Sequence, residues 1–224
     1  MKRAVYGGVN EAVARMIPSP SGNILDLGCG DGSFGAWLQA SGTCQVTGVT
    51  IQGTEAQLAR ERLPRVIEAD LDRWEPPDAV TYDGIVASHV LEHLADPSRL
   101  LRSLRRTLRP GGWLVVGLPN ILFWRQRLHF LLGRFRYTQG GLMDDTHLRF
   151  FDWQSAHQLL TASGWLVDES IADGGFPGSR WTGPLRSSLD QFACRAHPGL
   201  FGFQFVFRAS LAPLSADNGR PRNL

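Results

Sequence analysis

The stretch NILDLGCGDGSFGAWL, Asn23 to Leu38, decides the fold. An apolar run ends in Asp26 and breaks into Gly28, Gly30 and Gly32, after which apolar residues resume as a helix. Strand, glycine loop and helix in that order make a backbone cradle, because glycine lets the chain turn sharply and lets a ligand approach where a Cβ would clash. The spacing Gly30-x-Gly32-x-x-Gly35 matches the dinucleotide fingerprint. Asp26 argues the other way. A pyrophosphate would repel its carboxylate, whereas a ligand carrying an ammonium and a sulfonium would be attracted to it. Asp26 also has a structural reading, as an acceptor for loop N–H groups.

Outward from this loop, short apolar runs alternate with helical patterns, which predicts βαβ units and a parallel sheet. CQVTGVT, RVIEAD, YDGIVAS and WLVVGLP read as the next four strands, with WLVDESI and FGFQFVFRA as two later ones. Ser33 and Thr54 read as caps of the first two intervening helices. DPSRLLRSLRRTLRPGG reads as an amphipathic helix with Asp96 at its cap, Pro97 in its first turn and Gly111 beyond its end. Asp152 caps a later helix that stops at Gly164, and a further helical stretch lies near Leu185 to Arg195. The fold class is α/β, a doubly wound sheet with its ligand at the carboxyl ends of the central strands.

At 224 residues the length predicts one domain over residues 1–213, with 119–151 as an insertion and the polar 214–224 as a disordered tail. The net charge of +2 lacks the basic excess of a nucleic-acid binder. No apolar run reaches the length of a membrane span, and MKRAVYGGVNEAV has no apolar core of a signal peptide. Cys29, Cys44 and Cys194 fit neither metal-ligand spacing nor a paired disulfide set, so a reducing cytoplasm is the expected location. No histidine set has metal-site spacing, and no metal is expected.

LDLGCGDG followed by YDGIVASHVLEHLADPSRLLRSLRRTLRPGGWLVVGLPN resembles the class I S-adenosylmethionine-dependent methyltransferases, from about Asn23 to Trp165. The resemblance implies a seven-stranded, Rossmann-like, mainly parallel sheet of order 3-2-1-4-5-7-6 with its last strand antiparallel, and S-adenosylmethionine as cofactor. It places Asp26, Gly28, Cys29, Gly30 and Gly32 around the methionine and ribose end. It sets Asp70 against the adenine amino group, Leu71 beside that ring, and Ser88 and His89 along the methionine part. One position departs from the family. Where most members place Asp or Glu to grip the ribose hydroxyls, GVTIQGTE has Thr50, similar to the GLTLS variant of cyclopropane-forming methyltransferases. Thr50 with Gln52 then takes that role as neutral donors and acceptors.

Residues 119–151 form a long excursion at the ligand end of the sheet, where such segments usually carry function. Phe123, Trp124, Leu128, Leu131 and Leu132 fall at helical spacing, interleaved with Arg125, Arg127, Arg134 and Arg136. Three readings stand side by side: a helix packing its apolar side on the domain, a lid over the acceptor, or a segment docking on an anionic membrane surface. GRFRYTQGGLMDDTHLRFF is similar to a subgroup found in bacterial polysaccharide and glycolipid settings, which implies a small-molecule, glycan or lipid-linked acceptor and no nucleic acid.

Methylation of a hydroxyl benefits from a base within hydrogen-bond reach. His147 is the first candidate, with Asp144 or Asp145 to orient it, and His89 is the second. Glu92 and His93 read as structural, in a turn leading to a helix. Two alternatives remain beside O-methylation: a cofactor-binding partner protein that has lost catalysis, and an NAD-dependent oxidoreductase.

Overall fold

The computed structural model describes residues 8–51, 53–78, 80–178 and 186–212. Gln52 and the 214–224 tail lie outside the described residues. The strands are β1 Ser21–Leu27, β2 Thr43–Thr50, β3 Arg65–Glu68, β4 Tyr82–Ser88, β5 Leu108–Pro119, β6 Trp165–Gly174 and β7 Gly202–Leu211. They hydrogen-bond in the order β3-β2-β1-β4-β5-β7-β6, the order implied by the resemblance. β1 to β5 run parallel to one another, while β7 is antiparallel to both β5 and β6. The strand order reverses between β1 and β4, so a crevice opens at their carboxyl ends.

The helices are α1 Glu11–Met16, α2 Ser33–Ser41, α3 Gly53–Arg60, α4 Pro97–Leu104, α5 Trp124–Leu131, α6 Trp153–Ala162, α7 Arg186–Ala196 and α8 Pro198–Phe201. The central strands are apolar throughout because alternate residues enter separate cores on the two faces. Ile24, Val46, Val86, Val115 and Val206 pack with Val13, Phe34 and Leu38 of α1 and α2. Leu25, Leu27, Val49, Ile85 and Val116 pack with Leu100 and Leu101 of α4 and Leu160 of α6.

Asp96 caps α4 by accepting from the Arg99 N–H, and Asp152 caps α6 in a reciprocal box with Ser155. Three sequence expectations are corrected. Gly32, in the left-handed region at φ 81°, is the cap of α2, and Ser33 is its first residue. Its Ser33 N–H is taken by Asp31 Oδ1 at 3.0 Å. Thr54 lies inside α3, which begins at Gly53. α4 ends at Leu104 rather than near Gly111. The Thr107 carbonyl accepts from the Tyr82 N–H at 2.7 Å, drawing residues 108–112 into β5.

Candidate functional site

At the end of β1, Asp26 stands in register between Gly48 of β2 and Val86 of β4. It is 3% exposed, and its Oδ2 has no hydrogen-bond partner. Burial raises its pKa to about 7. Gly28, Gly30 and Gly32 take φ of 66°, 53° and 81°, the left-handed region in which a side chain is strained. A Cβ at Gly28 would sit 2.5 Å from Val90 Cγ2, and one at Gly32 3.0 Å from Ala59 Cα. Part of the glycine pattern is therefore set by the protein's own packing.

Cys29 donates its N–H to the Val49 carbonyl at 3.0 Å, and its Sγ lies where a Cβ on Gly48 would be, at 2.6 Å. Burial first, then the Asp26, Glu55 and Asp31 carboxylates, push the thiol up to about 12. The side chain is core, which leaves only its backbone for a ligand. Asp31 accepts from Ser33 and from Arg62 at 2.8 Å. Burial works to raise its pKa, but Ser33 and Arg62 outweigh it and hold the carboxyl below the usual range.

Thr50 ends β2 and is buried, with Oγ1 donating to Glu55 Oε2 at 3.3 Å. Glu55, in the first turn of α3, is buried as well, and its charge reaches the Cys29 thiol of the glycine loop. A buried carboxylate therefore lies against the end of the second strand, five residues after Thr50. Beyond β3, Asp70 is half-buried with Oδ1 accepting from the Asp72 N–H at 3.0 Å, and Leu71 is buried behind it. At the end of β4, Ser88 Oγ accepts from Asn10 Nδ2 at 3.3 Å.

Among the described residues, His89 is the non-glycine residue with positive φ, at 54°. Two bonds hold it there. Nε2 meets Gln204 Oε1 at 2.8 Å and Nδ1 meets Glu92 Oε1 at 3.2 Å. The Gln204 amide nitrogen faces Asp173 Oδ2 at 3.2 Å, which fixes its oxygen towards His89. Both imidazole nitrogens therefore face acceptors, the arrangement of an imidazolium on a carboxylate. Burial opposes that charge, but the Glu92 and Gln204 bonds outweigh it and raise the His89 pKa. Both ring nitrogens of His89 are thus engaged by protein partners.

His147 comes to the same place from the far end of the 119–151 segment. The backbone of 148–149 is pinned there, with Leu148 and Arg149 N–H groups both donating to the Glu92 carbonyl, at 2.9 and 3.0 Å. The His147 ring stacks edge-on to His93 with centroids 4.8 Å apart. Desolvation, helped by the neighbouring His93, lowers its pKa despite the Glu92 and Asp144 charges. Asp144 Oδ1 accepts from Thr146 Oγ1 at 2.6 Å, and Thr146 Oγ1 in turn meets His93 Nδ1 at 3.0 Å. Glu92, fully buried in a 3-10 turn over Leu91–His93, joins His93 and His147 in one cluster. Sequence reading gave Glu92 and His93 a structural role. The fold keeps them in the expected turn but aims the Glu92 carboxylate at His89.

In the acceptor-side segment, Phe123 is buried and Trp124 Nε1 donates to the Gly175 carbonyl at 2.8 Å. Leu128, Leu131 and Leu132 are exposed, Leu131 by 83%, so the apolar side of α5 is only partly packed on the domain. No acidic residue occurs from Asn120 to Met143, a stretch that holds four arginines.

A methyltransferase-domain family model matches residues 1–170. The chain belongs to the class I S-adenosylmethionine-dependent methyltransferases. A trans-aconitate 2-methyltransferase of Azoarcus sp. strain BH72 is 37% identical over 117 residues, covering 49% of this chain and 44% of that one. The O-methyltransferase cnsE of Penicillium expansum is 33% identical over 113 residues, covering 47% and 41%. The chain thus spans less than half the length of these curated relatives. A crystal structure of an S-adenosylmethionine-dependent methyltransferase from Mesorhizobium loti shares the fold, with a TM-score of 0.63 at 20% identity over 89% of this chain and 95% of that one. No described helix is long and apolar enough to cross a membrane.

The fold thus brings Asp26, the three glycines, Thr50, Asp70, Leu71, Ser88 and His89 to the carboxyl ends of β1 to β4. It turns the Cys29 thiol away and places nearby Glu55, which sequence reading did not name, and Glu92, which it read as structural. Glu55 left one signal, as the first acidic residue after Thr50. The buried, partnerless Asp26 oxygen is the observation that fits the family's cofactor, because an ammonium there would satisfy it.

Proposed function

We propose that the protein moves the methyl group of S-adenosylmethionine to an oxygen of a small-molecule, glycan or lipid-linked acceptor that enters beside residues 119–151. The cofactor when bound supplies an activated methyl on a sulfonium, so the chain's task is to place the two reactants in line and keep water out. Asp26 takes the methionine ammonium. Thr50 and Glu55 hold the ribose hydroxyls, with Glu55 replacing the carboxylate that the second strand lacks. Asp70 and Leu71 take the adenine. His89, locked over β4 by Glu92 and Gln204, shapes the wall beside the methionine part.

On the acceptor side, the Glu92–His93–His147 cluster is the group that ionises the acceptor hydroxyl, with His147 as the first candidate base. The single observation that carries this reading is its position. A histidine from the acceptor segment meets a buried glutamate from the β4 turn, beside the residues that line the methionine part. The similarity to the O-methyltransferase of Penicillium expansum supports transfer to oxygen. Four arginines without an acid between Asn120 and Met143, together with exposed Leu128, Leu131 and Leu132, support an acceptor that is anionic or carried on an anionic lipid surface.

The test supplies methyl-labelled S-adenosylmethionine with a panel of glycans, lipid-linked sugars and small organic acids. Label on oxygen in an acceptor, lost in His147→Ala while S-adenosylhomocysteine still binds, supports the reading. Binding without transfer to any acceptor supports a non-catalytic partner protein, and preferential binding of NADH supports an oxidoreductase.

A further inference from the structure

The Glu92–His93–His147 cluster has a property that a simple base does not need. One ligand atom from each residue lies within 4.8 Å of the other two. Around a tetrahedral ion with bonds of about 2.1 Å, neighbouring ligands lie about 3.4 Å apart, so closing the group takes about an ångström of side-chain movement.

Glu92 and His93 each have one polar atom already engaged by the protein. Glu92 is fully buried; its Oε1 is held by His89, and its Oε2 has no partner. His93 Nδ1 lies against the Thr146 carbonyl at 3.2 Å and Thr146 Oγ1 at 3.0 Å, which fixes the proton on Nδ1 and leaves Nε2 with a lone pair. His147 Nδ1 is buried without a partner, while the Leu142 backbone is the hydrogen-bond neighbour of the ring. An outer shell that orients one histidine and one oxygen of the carboxylate is of the kind metal sites use. A buried carboxylate oxygen and a buried ring nitrogen, each without a partner, otherwise cost free energy that nothing in the protein repays.

We propose that Glu92, His93 and His147 bind a divalent first-row transition ion, with the open side of the site facing the acceptor. The donor set selects the ion's class: two imidazoles and one carboxylate suit zinc, manganese, iron or cobalt, whereas magnesium favours an all-oxygen shell. Its ligands come from two elements. Glu92 and His93 come from the turn after β4, and His147 comes from the end of the acceptor segment, so the ion also ties that segment to the sheet. The proposal deepens the O-methyl-transfer reading: a bound cation would lower the pKa of a coordinated hydroxyl so that its proton passes to solvent water before the oxygen takes the methyl and S-adenosylhomocysteine leaves, and His147 then acts as a ligand rather than as the base.

The experiment titrates untagged full-length protein, stripped with a chelator, with cobalt(II) and follows the visible d–d absorption. The expected result is a saturable band at one cobalt per chain, displaced by zinc, with affinity at least tenfold weaker in His147→Ala and in Glu92→Gln. Circular dichroism and S-adenosylhomocysteine binding on the same samples show that both variants are folded. Absence of a cobalt band in the wild-type protein, or unchanged affinity in both folded variants, overturns the proposal. Loss of the cobalt signal alone leaves the methyl-transfer reading standing with His147 as base; failure of S-adenosylhomocysteine binding in the wild type is what would bring that reading down.

Discussion

Binding of the cofactor should release a proton from Asp26. Its pKa is raised to about 7 by burial, from a model-compound value of 3.8. At about 1.4 kcal/mol per tenfold change in proton affinity, keeping this carboxylate ionised in the protein alone costs about 4 kcal/mol. The sign follows from a folded pKa above the unfolded one. The stabilising contribution of the neutral carboxyl is fully present below the unfolded pKa and is lost as the pH rises through about 7. A ligand ammonium beside Oδ2 reverses the balance by returning the pKa towards its ordinary value.

At pH 6 about nine in ten Asp26 carboxyls are protonated in the protein alone, so binding there should release close to one proton. The apparent affinity should rise about fivefold from pH 6 to pH 7 and little above pH 8. Calorimetric titration with S-adenosylhomocysteine at pH 6, in buffers of different ionisation enthalpy, reads the proton count from the slope. A slope of zero, or the same slope in Asp26→Asn, would refute the argument.

Glu55→Gln should weaken S-adenosylhomocysteine binding by about tenfold while leaving the melting temperature within a few degrees, since a hydrogen bond to a charged group contributes roughly 1.5–3 kcal/mol; equilibrium dialysis checks this. Gly28→Ala adds a Cβ at positive φ and 2.5 Å from Val90 Cγ2, so urea unfolding should show a loss of about 1–3 kcal/mol, part of it restored by Val90→Ala. Leu131→Glu, at an 83% exposed position, should leave stability within about 0.5 kcal/mol. If the acceptor is lipid-linked, the same variant should reduce sedimentation with anionic vesicles.

The central strands were legible because their ends at the site are buried on both faces and rich in apolar residues, as in the runs Ile85 to Ala87 and Leu114 to Val116. The caps Asp96 and Asp152 were legible because a side-chain cap has a residue signature. Ser33 was misplaced for the opposite reason, because the left-handed backbone at Gly32 sets that start, and Thr54 lies one residue inside its helix. The cofactor half of the site follows the chain, loop after strand, and reads directly. The acceptor half does not. His93 and His147 are 54 residues apart, and it is the pair of Glu92 carbonyl bonds from Leu148 and Arg149 that bring them together. Glu55 was hidden in a similar way, because its value depends on α3 folding back over the end of β2.

The most direct test of the whole arrangement is a crystal structure with S-adenosylhomocysteine. The account predicts its ammonium on Asp26, its ribose hydroxyls on Thr50 and Glu55, its adenine between Leu71 and Asp70, and its sulfur facing the side of the crevice that holds Glu92 and His147. An ammonium bound away from Asp26, with Oδ2 still partnerless, would contradict it.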